Sequence, residues 1–271
     1  MGKSLTTPLA PDIRATFLIA FTVRCGSNYF CDCLKAAGCG QPTEFFQFPF
    51  GIQNQWLYQE VGAAPDDFRS FLPRVINKFS QHGIFGAKLS WMHRNVLEAT
   101  IAQTFPDSPT IDAVFGHPLW LQLTRRDKIG QAISFWRAIK SGKWVKESEV
   151  DSAPPPYSFL ELFQCLADIL SCEYQWTGWF ERCRIRPLVI VYEEFLERKN
   201  QTIFQVVQRL QERSGAEWIQ SAAAIPPAAR FKIQKDTHTN ALRQEFIEDL
   251  QSIDVPGHFT SSQITATGLC A

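Results

Sequence analysis

The segment that decides the fold is "ATFLIAFTVRCGSNYFCDCLKAAGCG", residues 15–40, in which an apolar strand runs directly into a helix. Residues 17–21 are apolar on both faces of the strand, which is typical of a central parallel strand covered by helices. Residues 28–37 carry apolar side chains at helical spacing, and Gly38 is a favourable residue for ending a helix. The polar residues 24–28 therefore form a turn at the N-terminus of a helix.

Residues 24–28, Arg-Cys-Gly-Ser-Asn, are called the first basic turn. Free backbone amides and the positive end of the helix dipole favour an anion at such a place. Gly26 lets the backbone approach an oxyanion closely, Ser27 is placed to cap the helix, and Arg24 supplies a permanent charge. The alternative is an ordinary helix cap with an exposed arginine. The Walker A pattern G-x-x-x-x-G-K-[ST] is absent from this turn.

A second basic turn is predicted within residues 118–142, which have the pattern of a strand followed by a helix. The inward stripe of that helix is predicted to contain Ile129, Ala132, Ile133, Trp136 and Ile139. Arg126 lies at the end of the strand, and Ser134 follows eight positions later on the helix. Two neighbouring strand ends that each carry an arginine predict two pockets for the two ends of a doubly anionic ligand. The alternative is a solvated cluster of Arg125, Arg126 and Asp127.

The remaining pattern alternates between apolar strands and amphipathic helices. Strands are predicted at residues 83–93 and 186–195, and helices at 66–81, 159–182 and 198–213, with a short helix in the tail. Repeated strand–helix units indicate an α/β fold with a central parallel sheet flanked by helices. We expect one domain over residues 1–271, with a flexible N-terminus at 1–12 and a Pro-rich loop at 150–158.

Charge and composition favour a cytoplasmic enzyme. The 27 basic residues balance the 27 acidic ones, so no overall field attracts nucleic acid. No segment approaches the ~20 apolar residues needed to span a bilayer, and the first residues lack a secretory h-region. None of the eight cysteines forms a C-x-x-C pair. We expect free, mostly buried thiols; metal or disulfide chemistry is the alternative.

Four motifs, in this order and at these intervals, resemble one enzyme family. They are "RCGS", "PTEFFQF", "GAKLSW" and "RRDKIGQAISFWRA", and they resemble the sulfotransferases similar to mycobacterial trehalose 2-sulfotransferase. The resemblance spans residues 17–246. It implies a P-loop NTPase-like sulfotransferase fold, a homodimer, and the donor 3′-phosphoadenosine 5′-phosphosulfate, with 3′-phosphoadenosine 5′-phosphate as product and no metal.

The resemblance assigns residues to the donor. The 5′-phosphosulfate end would be held by Arg24, Cys25, Gly26, Ser27 and Asn28, and the 3′-phosphate by Arg126 and Ser134. A segment that closes over the nucleotide in the family matches Gln234 and Asp236, followed by His238 and Thr239. The family usually has Ser and Thr at positions 25 and 28, and Arg and Ser at positions 238 and 239.

The resemblance also assigns residues to the reaction. Glu44 would be the general base that takes a proton from the acceptor. Beyond the family motifs, Lys88 is a candidate for an additional donor group or a contact with the acceptor, with a lysine stem lying along an apolar strand end as the alternative. His93 is the alternative base, or else a structural histidine. From their residue types, Phe45, Phe46, Gln47 and Trp91 are candidates for contacts with the acceptor, and packing in the core is the alternative for the aromatic residues.

Several functions are compatible with these features. The acceptor would be a sugar or a specialised metabolite such as an alkaloid, with a hydroxyl or an amine receiving the sulfuryl group. The alternatives to a sulfotransferase are a kinase-like P-loop transferase and a non-catalytic nucleotide-binding protein of the same fold. The absence of Walker A argues against the kinase, and Glu44 argues for catalysis.

Overall fold

The structure is a computed structural model that describes residue 9 and residues 12–47, 55–64, 67–144, 156–215 and 237–253. Gln234 and Asp236, together with most of the Pro-rich loop and of the first twelve residues, lie outside this range. No helix within the described ranges is long and apolar enough to cross a membrane.

The centre of the molecule is a four-stranded parallel sheet. Its strands are β1 (Ala15–Phe21), β2 (Ile84–Ser90), β3 (Leu119–Thr124) and β4 (Leu188–Val191), in the spatial order β2-β1-β3-β4. Ten helices are described: α1 (Ser27–Ala36), α2 (Gln55–Val61), α3 (Phe68–Phe79), α4 (Trp91–Thr104), α5 (Ile111–Val114), α6 (Lys128–Ser141), α7 (Phe159–Arg182), α8 (Tyr192–Glu197), α9 (Lys199–Ser214) and α10 (Thr237–Ser252). The predicted α/β class is confirmed.

Both faces of β1 are buried, because successive side chains of a strand point to opposite sides of the sheet. Leu18 and Ala20 belong to one hydrophobic cluster, which includes side chains of α3, α4 and α7. Ile19 and Phe21 belong to a second cluster, which includes side chains of α1 and α9. The unbroken apolar run of residues 15–21 is thus explained by helices on both sides of a central strand.

The structure shortens two predicted strands. β2 ends at Ser90, whose hydroxyl caps α4 by accepting a hydrogen bond of 3.3 Å from the backbone N–H of His93. Residues 91–93 are therefore helical. β4 ends at Val191, and Tyr192 begins α8. A large aromatic side chain follows each strand end, Trp91 after β2 and Tyr192 after β4, so the pattern of residue types alone did not reveal the change.

One member of the predicted α6 stripe is also wrong. Ile139 is 50% exposed, whereas Ala138 in the same turn is 3% exposed and takes the inward position. The other four members are buried against α7 and α10 as predicted.

The cysteines of the described ranges are free thiols, and five of them are buried. Burial raises the pKa of the thiols of Cys25, Cys31 and Cys39 to about 12. These thiols are therefore protonated at neutral pH and behave as small apolar side chains.

Candidate active site

The candidate site lies at the edge of the sheet where the parallel strands end. Phe21 at the end of β1 is paired with Ser90 of β2 and with Leu123 of β3. Since these strands end level with one another, the residues that follow them meet at one edge, which is where ligands bind in open α/β sheets. The first basic turn, the end of β2 and the second basic turn, residues 125–127, are therefore neighbours.

Gly26 fixes the shape of the first basic turn. It precedes α1 with a φ of 83°, in the left-handed region that glycine tolerates best. A β-carbon added at this position would lie 2.3 Å from the ring of Tyr192. Ser27 was expected to cap the helix, but the N-cap residue is Gly26. Because glycine has no side chain, it leaves the first backbone amides of α1 without a side-chain acceptor. The turn thus keeps the features of an anion cradle.

Arg24 carries a positive charge that no carboxylate balances among the residues that the structure describes. Its Nε donates a hydrogen bond of 2.9 Å to Ser134 Oγ and its Nη1 one of 2.6 Å to the Trp144 carbonyl, and both acceptors are neutral. Burial, together with the charge of Arg125, lowers the pKa of the Arg24 guanidinium, which still stays protonated at neutral pH. A half-buried cation of this kind favours the approach of an anion, because an anion would offset the cost of its burial.

Five other cations at or near these strand ends differ from Arg24 because each has a carboxylate partner. They are Lys88, Arg125, Arg126, Lys128 and Arg243.

Lys88 connects the first basic turn to Glu44. Its ammonium group lies 2.5 Å from Asn28 Oδ1 and 3.4 Å from Ser27 Oγ, and it lies 3.5 Å from Glu44 Oε2. The residue is only 5% exposed, so Lys88 is a buried member of the site rather than a lysine whose ammonium extends to solvent. One buried cation therefore contacts both the predicted donor loop and the predicted general base.

The position of Glu44 is fixed by its contacts with β2 and with its own loop. The backbone N–H of Lys88 donates to the Thr43 carbonyl at 3.0 Å, which attaches the loop to the strand. Gln47 Nε2 donates to Glu44 Oε2 at 2.9 Å. The carboxylate still has 24% of its side chain exposed, so a ligand can reach it.

His93 lies near Glu44 in the first turn of α4. Burial lowers the pKa of its imidazole, and the charge of Glu44 opposes that change only in part. His93 is therefore neutral at neutral pH, which is the form in which an imidazole accepts a proton.

The aromatic residues predicted for the acceptor differ in burial. Phe45 and Phe46 are 0% and 1% exposed and pack against Phe85 and Phe115, so these two rings belong to the core and present no surface to an acceptor. The two rings attach the loop that carries Glu44 to the hydrophobic core. Trp91 is only partly buried and packs edge-on against Trp176 at 5.3 Å.

The second basic turn is assembled differently from the sequence-based prediction. Ser134 contacts Arg24, and Arg126 Nη2 instead contacts Glu194 Oε1 at 2.5 Å. The Arg24–Ser134 contact nevertheless brings α6 against the first basic turn, so the two predicted pockets adjoin. The carboxylate of Glu193 accepts the backbone N–H groups of Arg126 and Asp127 at 2.9 and 3.1 Å.

Sequence reasoning missed the acidic turn, Tyr192-Glu193-Glu194, which opens α8. Tyr192 packs against Gly26 and also lies under Arg125, whose guanidinium carbon is 5.7 Å from the ring centroid. The position of these residues could have revealed them. They directly follow the fourth strand, so they lie at the same edge of the sheet as the two basic turns.

The helix α10 packs next to the second basic turn. Arg243 Nη1 lies 2.6 Å from Asp127 Oδ1, and this ion pair helps to lower the pKa of the Asp127 carboxyl against the opposing effect of its burial. Thr239 Oγ1 accepts a hydrogen bond of 2.6 Å from Arg137. Thr239 and His238 thus belong to the first turn of α10, which packs on α6.

Comparison with known proteins identifies the family. The family model described as "Stf0 sulphotransferase" matches residues 16–231. The chain belongs to this sulfotransferase family. The match covers the strand–turn–helix of the first basic turn, Glu44, Lys88 and the second basic turn.

Two curated relatives are similar to this sulfotransferase. Trehalose 2-sulfotransferase of Mycobacterium tuberculosis (strain ATCC 35801 / TMC 107 / Erdman) is 25% identical over 205 residues, which cover 65% of this chain and 76% of the relative. Trehalose 2-sulfotransferase of Mycolicibacterium smegmatis (strain ATCC 700084 / mc(2)155) is 22% identical over 228 residues, which cover 73% and 85%. Among solved structures, the sulfotransferase domain from the Synechococcus PCC 7002 olefin synthase is 12% identical with a TM-score of 0.36 and covers 94% of both chains.

Proposed function

We propose that this sulfotransferase moves a sulfuryl group from 3′-phosphoadenosine 5′-phosphosulfate to a hydroxyl or an amine of a small polar acceptor. The observation that carries the proposal is Arg24, a half-buried cation with neutral partners at the N-terminus of α1. A buried charge without a counterion is costly, and an anionic ligand would remove that cost. The amides that follow Gly26 would bind the same anion.

The two basic turns match the two anionic ends of the donor. The 5′-phosphosulfate end is assigned to the first basic turn with Lys88, and the 3′-phosphate to the second basic turn with Arg126. Ser134 lies between them because it contacts Arg24 and stands on the helix that follows Arg126. Two pockets at neighbouring strand ends would thus select a nucleotide that is phosphorylated at both ends.

The proposed chemistry needs a base beside the donor cradle, and we assign this role to Glu44. Lys88 contacts Ser27 and Asn28 on one side and Glu44 on the other, so the base lies next to the anion site. The donor supplies an activated sulfuryl group with a phosphate leaving group. Glu44 would accept the proton of the acceptor hydroxyl, and Lys88 would stabilise negative charge that develops during in-line transfer.

The acceptor is proposed to enter at the exposed side of Glu44, where Gln47 and His93 lie, with Trp91 in the same helical turn as His93. A sugar or a specialised metabolite with a hydroxyl or amine fits a site that has polar side chains and one partly exposed indole. The buried rings of Phe45 and Phe46 support this side of the pocket from behind.

Thermal-shift measurements test the donor. We expect 3′-phosphoadenosine 5′-phosphate to raise the Tm strongly with or without EDTA, and ATP to raise it little. Arg24→Ala should remove most of the shift, while Arg209→Ala, a change of an exposed arginine on α9, should preserve it. Equal shifts from the two nucleotides, or a shift that needs Mg²⁺, would contradict the proposed donor. Transfer of labelled sulfate from the donor to a panel of sugars and alkaloids then tests the acceptor class.

A further inference from the structure

We propose that Glu194 competes with the 3′-phosphate of the nucleotide for Arg126 and thereby weakens the binding of donor and product. This inference rests on the proposed function, because it concerns the pocket assigned to the 3′-phosphate. It assigns a regulatory role to a carboxylate that lies outside the sequence motifs described above.

The fold brings Glu194 to this pocket. β3 and β4 are parallel neighbours, and Thr124 at the end of β3 is paired with Val191 at the end of β4. Since both strands end level, the second basic turn and the acidic turn lie side by side.

The two carboxylates of the acidic turn have different roles. Glu193 has 28% of its side chain exposed and accepts two backbone N–H groups, so it holds the backbone of the second basic turn in place. Glu194 has 59% of its side chain exposed, and its carboxylate contacts the guanidinium of Arg126, whose side chain is itself 54% exposed. Exposed ion pairs of this kind are weak and break readily.

Binding of a 3′-phosphate must change this ion pair. The phosphate carries more charge than a carboxylate and offers several oxygens to the fork of an arginine. If Glu194 stayed in place, two anions would share one guanidinium and repel each other. Glu194 therefore has to leave Arg126 when the nucleotide binds, and its return would assist the departure of the bisphosphate product. Product release limits the turnover of many enzymes. A carboxylate that can replace the 3′-phosphate on Arg126 would therefore favour turnover.

The effect should depend on the 3′-phosphate. A nucleotide without that group, such as adenosine 5′-phosphosulfate, does not displace Glu194. Its affinity should therefore not change when the Glu194 carboxylate is removed. The ion pair thus lowers the affinity for 3′-phosphorylated nucleotides in particular, and not the affinity for every anionic nucleotide.

Isothermal titration calorimetry tests the inference with the nearly isosteric variant Glu194→Gln. We expect the Kd of 3′-phosphoadenosine 5′-phosphate to fall two- to tenfold, with a larger effect at low salt, and the Kd of adenosine 5′-phosphosulfate to stay the same. The matched control is Glu197→Gln, which removes one negative charge from the same short helix and should leave both constants unchanged. In an Arg126→Ala background, Glu194→Gln should have no effect.

The possible failures are distinguishable. Equal affinity of wild type and Glu194→Gln for the bisphosphate would overturn the inference alone, as would an equal gain in the Glu197→Gln control. If the bisphosphate did not bind the wild-type protein at all, the proposed donor would fail and this inference would fail with it. The Tm of each variant without nucleotide shows whether folding is intact.

Discussion

Replacing Lys88 by methionine should separate activity from stability. Lys88 is 5% exposed and its ammonium contacts Asn28, Ser27 and Glu44. Methionine has a similar length and keeps the apolar contacts of the stem, but it removes the charge that connects the donor cradle to the base. Loss of one such preorganised group in an active site commonly lowers kcat about 10²–10³-fold, or ~3–4 kcal/mol of transition-state stabilisation.

The same change should cost little stability, for reasons visible in the contacts. Removing one partner of a fully buried ion pair is expensive because the other charge remains without solvent. Glu44 is instead partly exposed and keeps its hydrogen bond from Gln47, and Asn28 is exposed. Both can be rehydrated, and the desolvation cost of the buried ammonium disappears. We therefore expect the free energy of unfolding to change by only about 1 kcal/mol in either direction.

Steady-state kinetics with labelled donor, together with chemical denaturation, measure the two effects. The matched control is Lys78→Met, which breaks the exposed Lys78–Glu60 ion pair of 2.7 Å and should leave both activity and stability nearly unchanged. A Lys88→Met enzyme with wild-type kcat would refute the role of the ammonium in the reaction. A loss of several kcal/mol in unfolding free energy would show that Lys88 is mainly structural.

Three further predictions concern the same edge of the sheet. Glu44→Gln should lower kcat roughly 10²–10⁴-fold, or about 3–5 kcal/mol, while the thermal shift produced by 3′-phosphoadenosine 5′-phosphate stays at the wild-type value; unchanged turnover would exclude Glu44 as the base. Gly26→Ala should abolish nucleotide binding and destabilise the fold by about 1–3 kcal/mol, since a β-carbon meets Tyr192 at 2.3 Å and φ is 83°; denaturation and calorimetry would measure both, and wild-type affinity would contradict the cradle. The pKa of His93 is lowered by burial, so the unfolded chain binds its proton first as pH falls below about 6.5, and stability should decline there; a His93→Gln variant should show a weaker decline, and identical pH profiles of unfolding would argue against a buried neutral imidazole.

Much of the fold was predictable from local patterns. The bounds of α7 were predicted as residues 159–182, and α1 ends as expected before Gly38, whose φ is 79°. These elements have strong periodicity and clear end signals. The strand ends at Ser90 and Val191 were missed because an aromatic residue, Trp91 or Tyr192, directly follows each of them and suits a strand as well as the first position of a helix.

The aromatic residues beside Glu44 show the limit of composition as evidence for a pocket. Phe45 and Phe46 directly follow the proposed base, and aromatic rings suit both a core and a ligand site. Their burial depends on contacts with Phe85 and Phe115, which are far from them in the chain.

The sequence by itself determined that an apolar parallel strand leads into a glycine-containing basic turn, and its motifs were sufficient to indicate the sulfotransferase family. These features are local. Consecutive residues are enough to show that both faces of a strand are apolar and that a helix begins after a turn. Only the tertiary structure decided the partners of the charges: Ser134 for Arg24, Glu44 for Lys88, and Glu194 for Arg126. These pairs join residues that are far apart in the chain, and they depend on the order in which the strands assemble and on where each strand ends, which no local pattern specifies.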